Sequence, residues 1–100
     1  MYVSRLAFST IPGHTGAVEQ ALGRLRDLVE AAGGGRPRVL RTHYASLGAP
    51  DLVFEQEAAD LAALEGQIGR VTESADFQAW SREVSAMLTH SPKREVYTIL

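Results

Sequence analysis

The sequence has 100 residues, 45% of them apolar, and a formal net charge of −2. This composition predicts one globular domain over residues 1–100. Ten basic against twelve acidic side chains supply no positive field for nucleic acid or an anionic membrane. The lack of cysteine excludes disulfides, thiolate catalysis and Cys-ligated metals. No apolar run approaches the about 20 residues of a membrane span, and the N-terminus lacks the apolar stretch of a signal peptide, so we expect a cytoplasmic protein.

The first half of the chain predicts a strand, a helix and a hairpin. Side chains alternate between two faces over residues 2–9, which is typical of a strand. Apolar residues then recur at helical spacing from Val18 to Ala32, after a start at His14 or Thr15 and before three glycines, residues 33–35, that favour a left-handed C-cap. Side chains alternate between two faces again over residues 36–46 and 52–57, which predicts two strands. The Gly/Pro/Asp turn at 48–51 between them predicts a β-hairpin.

The second half predicts two helical pieces and a last strand. Asp60 is the expected N-cap of a short helix that Gly66 and Gly69 weaken, and Ser74 is the expected N-cap of a helix that ends at Ser91-Pro92. His90 then falls in the last helical turn, where a cation is favoured. Residues 93–100 alternate as a closing strand. The order βαββαβ is typical of an α+β, ferredoxin-like fold with a four-stranded antiparallel sheet and helices on one face.

The sheet face without helices is predicted to be an interface between two copies of the chain. It carries apolar groups beside charged ones in either strand register, which suits a symmetric contact better than bulk water. The residues expected there are Val3, Ala7, Val39 and Ala45, beside Arg5, Arg41 and His43. If Arg5, Arg41 and Glu55 share this face, Arg–Glu pairing across it would be a feature of the dimer. Aspartate at Val39 or Ala45 is accordingly expected to break the dimer.

The chain resembles the dimeric α+β barrel superfamily, in particular its antibiotic-biosynthesis-monooxygenase-like and NIPSNAP-like members. The resemblance rests on strand 2–9 with the following Ile-Pro-Gly, the hairpin 39–57, the segments 59–65 and 75–80, and the closing strand. It implies a homodimer with a pocket between sheet and helices, often for a small apolar or aromatic ligand, and no bound cofactor. The haem-degrading branch needs Asn, Trp and His where this chain has Ser4, Val71 and Ser81, which argues against haem.

Several residues are candidates for the pocket. The expected lining residues are Tyr2, Ser4, Leu6, Phe8, Tyr44 and Trp80. Trp80 and Phe77 share a helix face, either as a ligand platform or as core. His43 is the candidate general base and Tyr44 its neighbour, but adjacent strand residues point to opposite faces, so His43 can equally be a hydrogen-bonded interface residue. Three separated histidines do not predict a metal site.

Two functions follow from these expectations and stay open at this level. One is a homodimeric small-molecule-binding protein of the antibiotic-biosynthesis-monooxygenase-like type, acting as a cofactor-free monooxygenase or isomerase on an apolar or aromatic metabolite. The other is a non-catalytic dimer with a structural or regulatory role. The fold by itself does not choose between them, because function depends on the site.

Overall fold

The computed structural model describes all 100 residues, and it forms a four-stranded antiparallel sheet and three helices. The elements are β1 (Tyr2–Phe8), α1 (Thr15–Ala31), β2 (Gly35–Arg41), β3 (Leu52–Ala58), α2 (Leu61–Thr72), α3 (Ala75–Ser85) and β4 (Lys93–Thr98). The strand order across the sheet is β2-β3-β1-β4. This is the predicted ferredoxin-like α+β architecture. None of the helices is long and apolar enough to cross a membrane.

The predicted helix boundaries rest on local hydrogen bonds. The Asp60 carboxylate accepts a bond from the Ala63 amide at 2.7 Å, and the Ser74 hydroxyl accepts one from the Phe77 amide at 3.1 Å. Both residues are therefore the N-caps that the sequence predicted. At the end of α1, Gly33 has a φ of +85° and its amide bonds to the carbonyl of Glu30. A left-handed glycine thus ends this helix, as expected.

Replacing Ser74 by alanine is expected to lower the free energy of unfolding by about 1 kcal/mol, because the Phe77 amide loses its acceptor at the start of α3. Urea denaturation at fixed protein concentration measures the change. The matched control is Ser85→Ala on the same helix, whose hydroxyl bonds only to the Ser81 carbonyl within the helix. An equal loss in both variants would contradict the capping role.

The core lies between the helices and one face of the sheet. Strand residues Phe8, Leu52 and Phe54 contact apolar side chains from all three helices. The helical members of this cluster are Val18, Ala21, Leu22, Leu25, Val29, Val71, Trp80 and Val84. On β1, this assigns Ser4, Leu6 and Phe8 to the helix side, and Val3, Arg5 and Ala7 to the bare side.

The bare face of the sheet has charges at its centre and apolar groups around them. Glu55 is only 7% exposed and lies 2.6 Å from Arg5 and 2.7 Å from Arg38. Arg38 also reaches Glu57 at 3.3 Å. The predicted pairing of Arg5 with a strand glutamate is therefore present, but the second arginine is Arg38.

The strand register differs from the prediction on β2. Val39 lies opposite Phe54 and packs against the core, so it faces the helices and not the bare side of the sheet. Arg41 shares that face and pairs with Glu19 of α1 at 2.6 Å. The pairing of β2 with β3 shifts in register between Gly35 and Arg38. Strict alternation of side chains, counted from one end of β2, therefore does not show which face each residue is on.

Two element ends were also predicted wrongly. β2 stops at Arg41, and residues 42–51 form a long connection in which Ala45 is exposed and on no sheet face. The expected interface variants Val39→Asp and Ala45→Asp therefore address the wrong positions. α3 ends at Ser85, so His90 lies in the following turn and not in a helical last turn.

Candidate functional site

A cavity lies between the helix side of the sheet and the three helices. Twelve residues line it, and the seven hydrophobic ones are Leu6, Leu25, Val29, Phe54, Ile68, Val71 and Phe77. The empty volume of the cavity is about 390 Å³ when its open side is included. The part of this volume that the centre of a water molecule can occupy is only about 40 Å³. At about 10–15 Å³ per water by this measure, the cavity holds a few water molecules. A larger guest would have to displace lining side chains.

The open side of the cavity carries a positive charge without a negative partner. Arg94 reaches in from edge strand β4, where it lies opposite Leu6, and its Nη1 donates to the Ser4 hydroxyl at 2.9 Å. No carboxylate lies within 4.0 Å of this guanidinium. Burial of the charge lowers the pKa of Arg94 below its usual value. Arg94 as a whole is still exposed to solvent, so the mouth of the cavity carries a cation that the protein shields only in part and does not neutralise.

The wall of the cavity also carries buried amide groups. Gln67 of α2 is 5% exposed, and neither its Oε1 nor its Nε2 has a hydrogen-bond partner in the chain. Gln56 of β3, also 5% exposed, lines the same cavity. A buried carboxamide with no partner is unfavourable by about 1–3 kcal/mol, so Gln67 needs water or a ligand as a partner.

Two glycines after α1 lie in close contact with their surroundings, and one of them, Gly34, lies next to Gln67. A methyl group on Gly34 would collide with the Val29 side chain and lie 2.9 Å from the Gln67 Nε2. One on Gly35 would lie 2.6 Å from the carbonyl oxygen of Glu57. Only residues without a Cβ let the chain turn from α1 into β2 this close to the sheet. The glycine run that ends the helix thus also allows the close approach of the chain to Val29, Gln67 and β3.

Two of the predicted lining residues, Ser4 and Leu6, do line the cavity. Phe8 is completely buried in the core, and Tyr2 lies on the same face of β1 but not among the lining residues. Trp80 lies one layer away, where its ring stacks on Phe77 with centroids 5.5 Å apart. Trp80 borders a neighbouring cleft that shares Leu6, Phe77 and Arg94 with the cavity.

His43 and Tyr44 are not brought to the cavity. Both lie in the 42–51 connection and not on a strand, and their rings contact each other edge-on at 4.5 Å. Tyr44 is 91% exposed. The structure therefore does not place Tyr44 beside Ser4 and Leu6, as the predicted strand had implied. No group of three or more His, Cys, Asp or Glu residues comes together in a geometry that could hold a metal ion.

Arg94, Gln67 and Gln56 line the cavity although the sequence did not predict them there. A signal was present for Gln67, since it stands three residues after Leu64 and four before Val71, within the apolar stripe of α2. A polar residue in such a stripe faces the interior. Arg94 and Gln56 have no comparable signal, because charged and polar side chains that alternate along a strand are ordinary on an exposed sheet.

Solved structures of similar shape are known. A NIPSNAP domain protein from Burkholderia xenovorans, described as uncharacterized, matches with a TM-score of 0.78 at 14% identity, over 100% of this chain and 95% of that one. A proposed antibiotic biosynthesis monooxygenase from Nitrosomonas europaea matches with a TM-score of 0.74 at 18% identity, over 100% of this chain and 99% of that one. A Mesorhizobium loti protein described as a dabb family protein with a ferredoxin-like fold matches with a TM-score of 0.69 at 17% identity, over 99% of this chain and 96% of that one.

These likenesses establish the fold. The chain has the ferredoxin-like architecture of the antibiotic-biosynthesis-monooxygenase-like and NIPSNAP-like proteins, as the sequence predicted. No protein-family model and no curated protein matches the sequence. Because one fold supports many functions, the activity has to be argued from the cavity.

Proposed function

We propose that this protein is a homodimer that binds a small, largely apolar molecule in the cavity and oxidises it as a cofactor-independent monooxygenase. The observation that carries the proposal is a cavity with seven hydrophobic lining residues and a few polar ones, among them Arg94, with one hydrogen bond to Ser4, and Gln67, with no partner in the chain. Small-molecule sites typically combine apolar walls with sparse polar groups that orient the ligand. The shape likeness to a proposed antibiotic biosynthesis monooxygenase supports the class of reaction.

Ligand entry requires movement at the open side of the cavity. The available space is about 40 Å³ for the centre of a water molecule, whereas ligand pockets enclose about 300–1,000 Å³. Phe77 and Arg94 border both the cavity and the neighbouring cleft. A change of rotamer at these two side chains would join the two spaces without moving the backbone, which is an ordinary change on binding.

The bare sheet face supports dimerisation. The groups that the strand register assigns to it include three basic residues and three acidic ones, namely Arg5, Arg38, Lys93, Glu55, Glu57 and Glu95. Val3, Ala7, Leu40, Val53 and Tyr97 share the same face. A face with balanced charges and apolar groups can be complementary to itself across a two-fold axis. A second copy of this chain is therefore the occupant that we propose.

A non-catalytic binding protein is the second candidate function. The observation in its favour is that Arg94 is the only ionisable side chain among the twelve lining residues. General acid–base catalysis needs a group that exchanges a proton near the working pH, which an arginine does not do. For the monooxygenase, the substrate itself would have to supply all the electrons: one oxygen atom of O₂ is inserted into the product, and the other leaves as water with two hydrogen atoms taken from the substrate.

Binding can be measured through Trp80, the single tryptophan. Because Trp80 stacks on the cavity residue Phe77, displacement of Phe77 by p-cresol is expected to change tryptophan emission excited at the red edge of the indole band. Ile68→Phe should abolish the change by filling the cavity. Leu61→Phe, on the same helix but 46% exposed and outside the cavity, should leave it intact.

An oxygen electrode separates the two candidate functions. Uptake of O₂, with a product that gains one oxygen atom and gives up two hydrogen atoms, is the result expected of a monooxygenase. It should disappear in Ile68→Phe and persist in Leu61→Phe. Saturable binding of aromatic compounds without O₂ uptake would favour the non-catalytic protein. A fluorescence response that is identical in the two variants would contradict binding in this cavity.

A further inference from the structure

The cavity is positively charged although it lies in an acidic protein. The chain carries a formal net charge of −2, yet the only charged side chain on the cavity wall is Arg94. The other arginines with an ordered partner on the sheet or helices, Arg5, Arg24, Arg38 and Arg41, each pair with a glutamate. A guanidinium has five N–H donors, and one hydrogen bond to Ser4 leaves most of those of Arg94 free.

The second feature is the unpartnered carboxamide of Gln67. Its two polar atoms have no partner in the chain, and the residue is buried on the wall of the same cavity. The Nε2 offers two N–H donors to whatever occupies the space. The rest of the wall is formed mainly by hydrophobic side chains such as Ile68, Val71 and Phe77.

We infer that the ligand of this cavity is a small apolar or aromatic monocarboxylate, whose carboxylate binds Arg94 and receives support from Gln67. The inference rests on the proposed function, since it names the chemical class that the cavity takes. One negative charge neutralises the single guanidinium, whereas a dianion would bring surplus charge into an apolar space. The planar fork of an arginine matches a carboxylate by two parallel hydrogen bonds.

The experiment compares benzoate with its neutral analogue benzamide. Both are titrated into the ¹⁵N-labelled full chain, and amide shifts of the cavity residues Ile68 and Phe77 report binding. Benzoate is expected to bind at least about tenfold more tightly than benzamide, because only the carboxylate forms charge-assisted bonds to Arg94. The Arg94 Nε–H resonance is expected to shift with benzoate alone.

Three variants test which residues are responsible. Arg94→Gln should reduce the benzoate affinity to that of benzamide, whereas Arg26→Gln should leave the preference unchanged, because Arg26 is an exposed residue of α1 outside the cavity. Gln67→Leu should weaken the binding of both compounds about threefold or more, through loss of a hydrogen-bond partner that both can use. Retained amide dispersion in the spectra verifies that each variant is folded.

The outcomes distinguish the inference from the proposed function. Equal affinity for benzoate and benzamide, or a benzoate preference that survives Arg94→Gln, would overturn the carboxylate inference and leave an apolar site in place. Tighter binding of phenylphosphonate than of benzoate would overturn the restriction to a monoanion. Failure of benzoate, benzamide and toluene alike to shift the cavity residues would overturn both.

Discussion

Replacing Trp80 by alanine is expected to lower the free energy of unfolding by about 3–5 kcal/mol. Trp80 is 7% exposed, stacks on Phe77, meets Phe8 edge-on with centroids 6.4 Å apart and donates its indole N–H to the Ala21 carbonyl at 2.6 Å. Alanine would leave a cavity and an acceptor without its donor. Urea denaturation followed by far-ultraviolet circular dichroism, at equal protein concentrations, measures the change.

Two further variants show whether this effect belongs to the core. Trp80→Phe keeps much of the apolar volume but loses the hydrogen bond to the Ala21 carbonyl. The free energy of unfolding is therefore expected to fall by about 1–3 kcal/mol. Tyr44→Ala, in the exposed connection, is expected to change stability by less than about 0.5 kcal/mol. A loss below about 1 kcal/mol in Trp80→Ala would instead indicate that the indole is held loosely, as a ligand platform would be.

Aspartate in place of Val3 is expected to dissociate the proposed dimer. Val3 lies on the bare face of the central strand β1, opposite Glu57 and Tyr97 of the neighbouring strands. Burial of an added carboxylate from each copy, beside an existing glutamate, should raise the dissociation constant at least a hundredfold, which is about 3 kcal/mol. Light scattering should then give a mass near the 10.8 kDa of one chain instead of twice that value.

Leu61→Asp is the matched control for Val3→Asp. Leu61 is a comparably apolar residue that is 46% exposed on α2, on the helical side of the molecule. The same charge there should leave the mass of the dimer unchanged. If Val3→Asp keeps its far-ultraviolet spectrum and still has twice the mass of the chain, the sheet face is not the interface.

The sequence was sufficient for the order of elements, because the starts of α2 and α3 and the end of α1 are determined by local chemistry. Asp60 and Ser74 cap their helices through bonds to amides three residues ahead, and Gly33 supplies the left-handed end of α1. Strand ends were predicted less well. Residues 42–46 alternate like a strand but leave the sheet, and the Asp51 carboxylate binds the Thr10 amide at 2.8 Å, a contact between residues 41 positions apart.

The cavity was predictable only in part, because its polar groups come from elements that are far apart in the sequence and meet only in the folded chain. Ser4 and Leu6 follow from strand alternation, and both were predicted. Arg94 reaches the cavity because β4 pairs with β1 in a register that places it beside Leu6. Register across a sheet depends on packing between distant segments, which a single sequence does not display.

The central position of β1 has a consequence for the synthesis of this protein. β1 pairs with β3 on one side and β4 on the other, so that Tyr2 lies opposite Thr98. On a ribosome, the second of these pairings must wait until residues 93–98 have left the exit tunnel. Until then, β1 keeps an open hydrogen-bonding edge and the Ser4 hydroxyl lacks the Arg94 donor. The nascent chain therefore exposes a β-edge during elongation, a state prone to aggregation in which chaperone assistance is most useful.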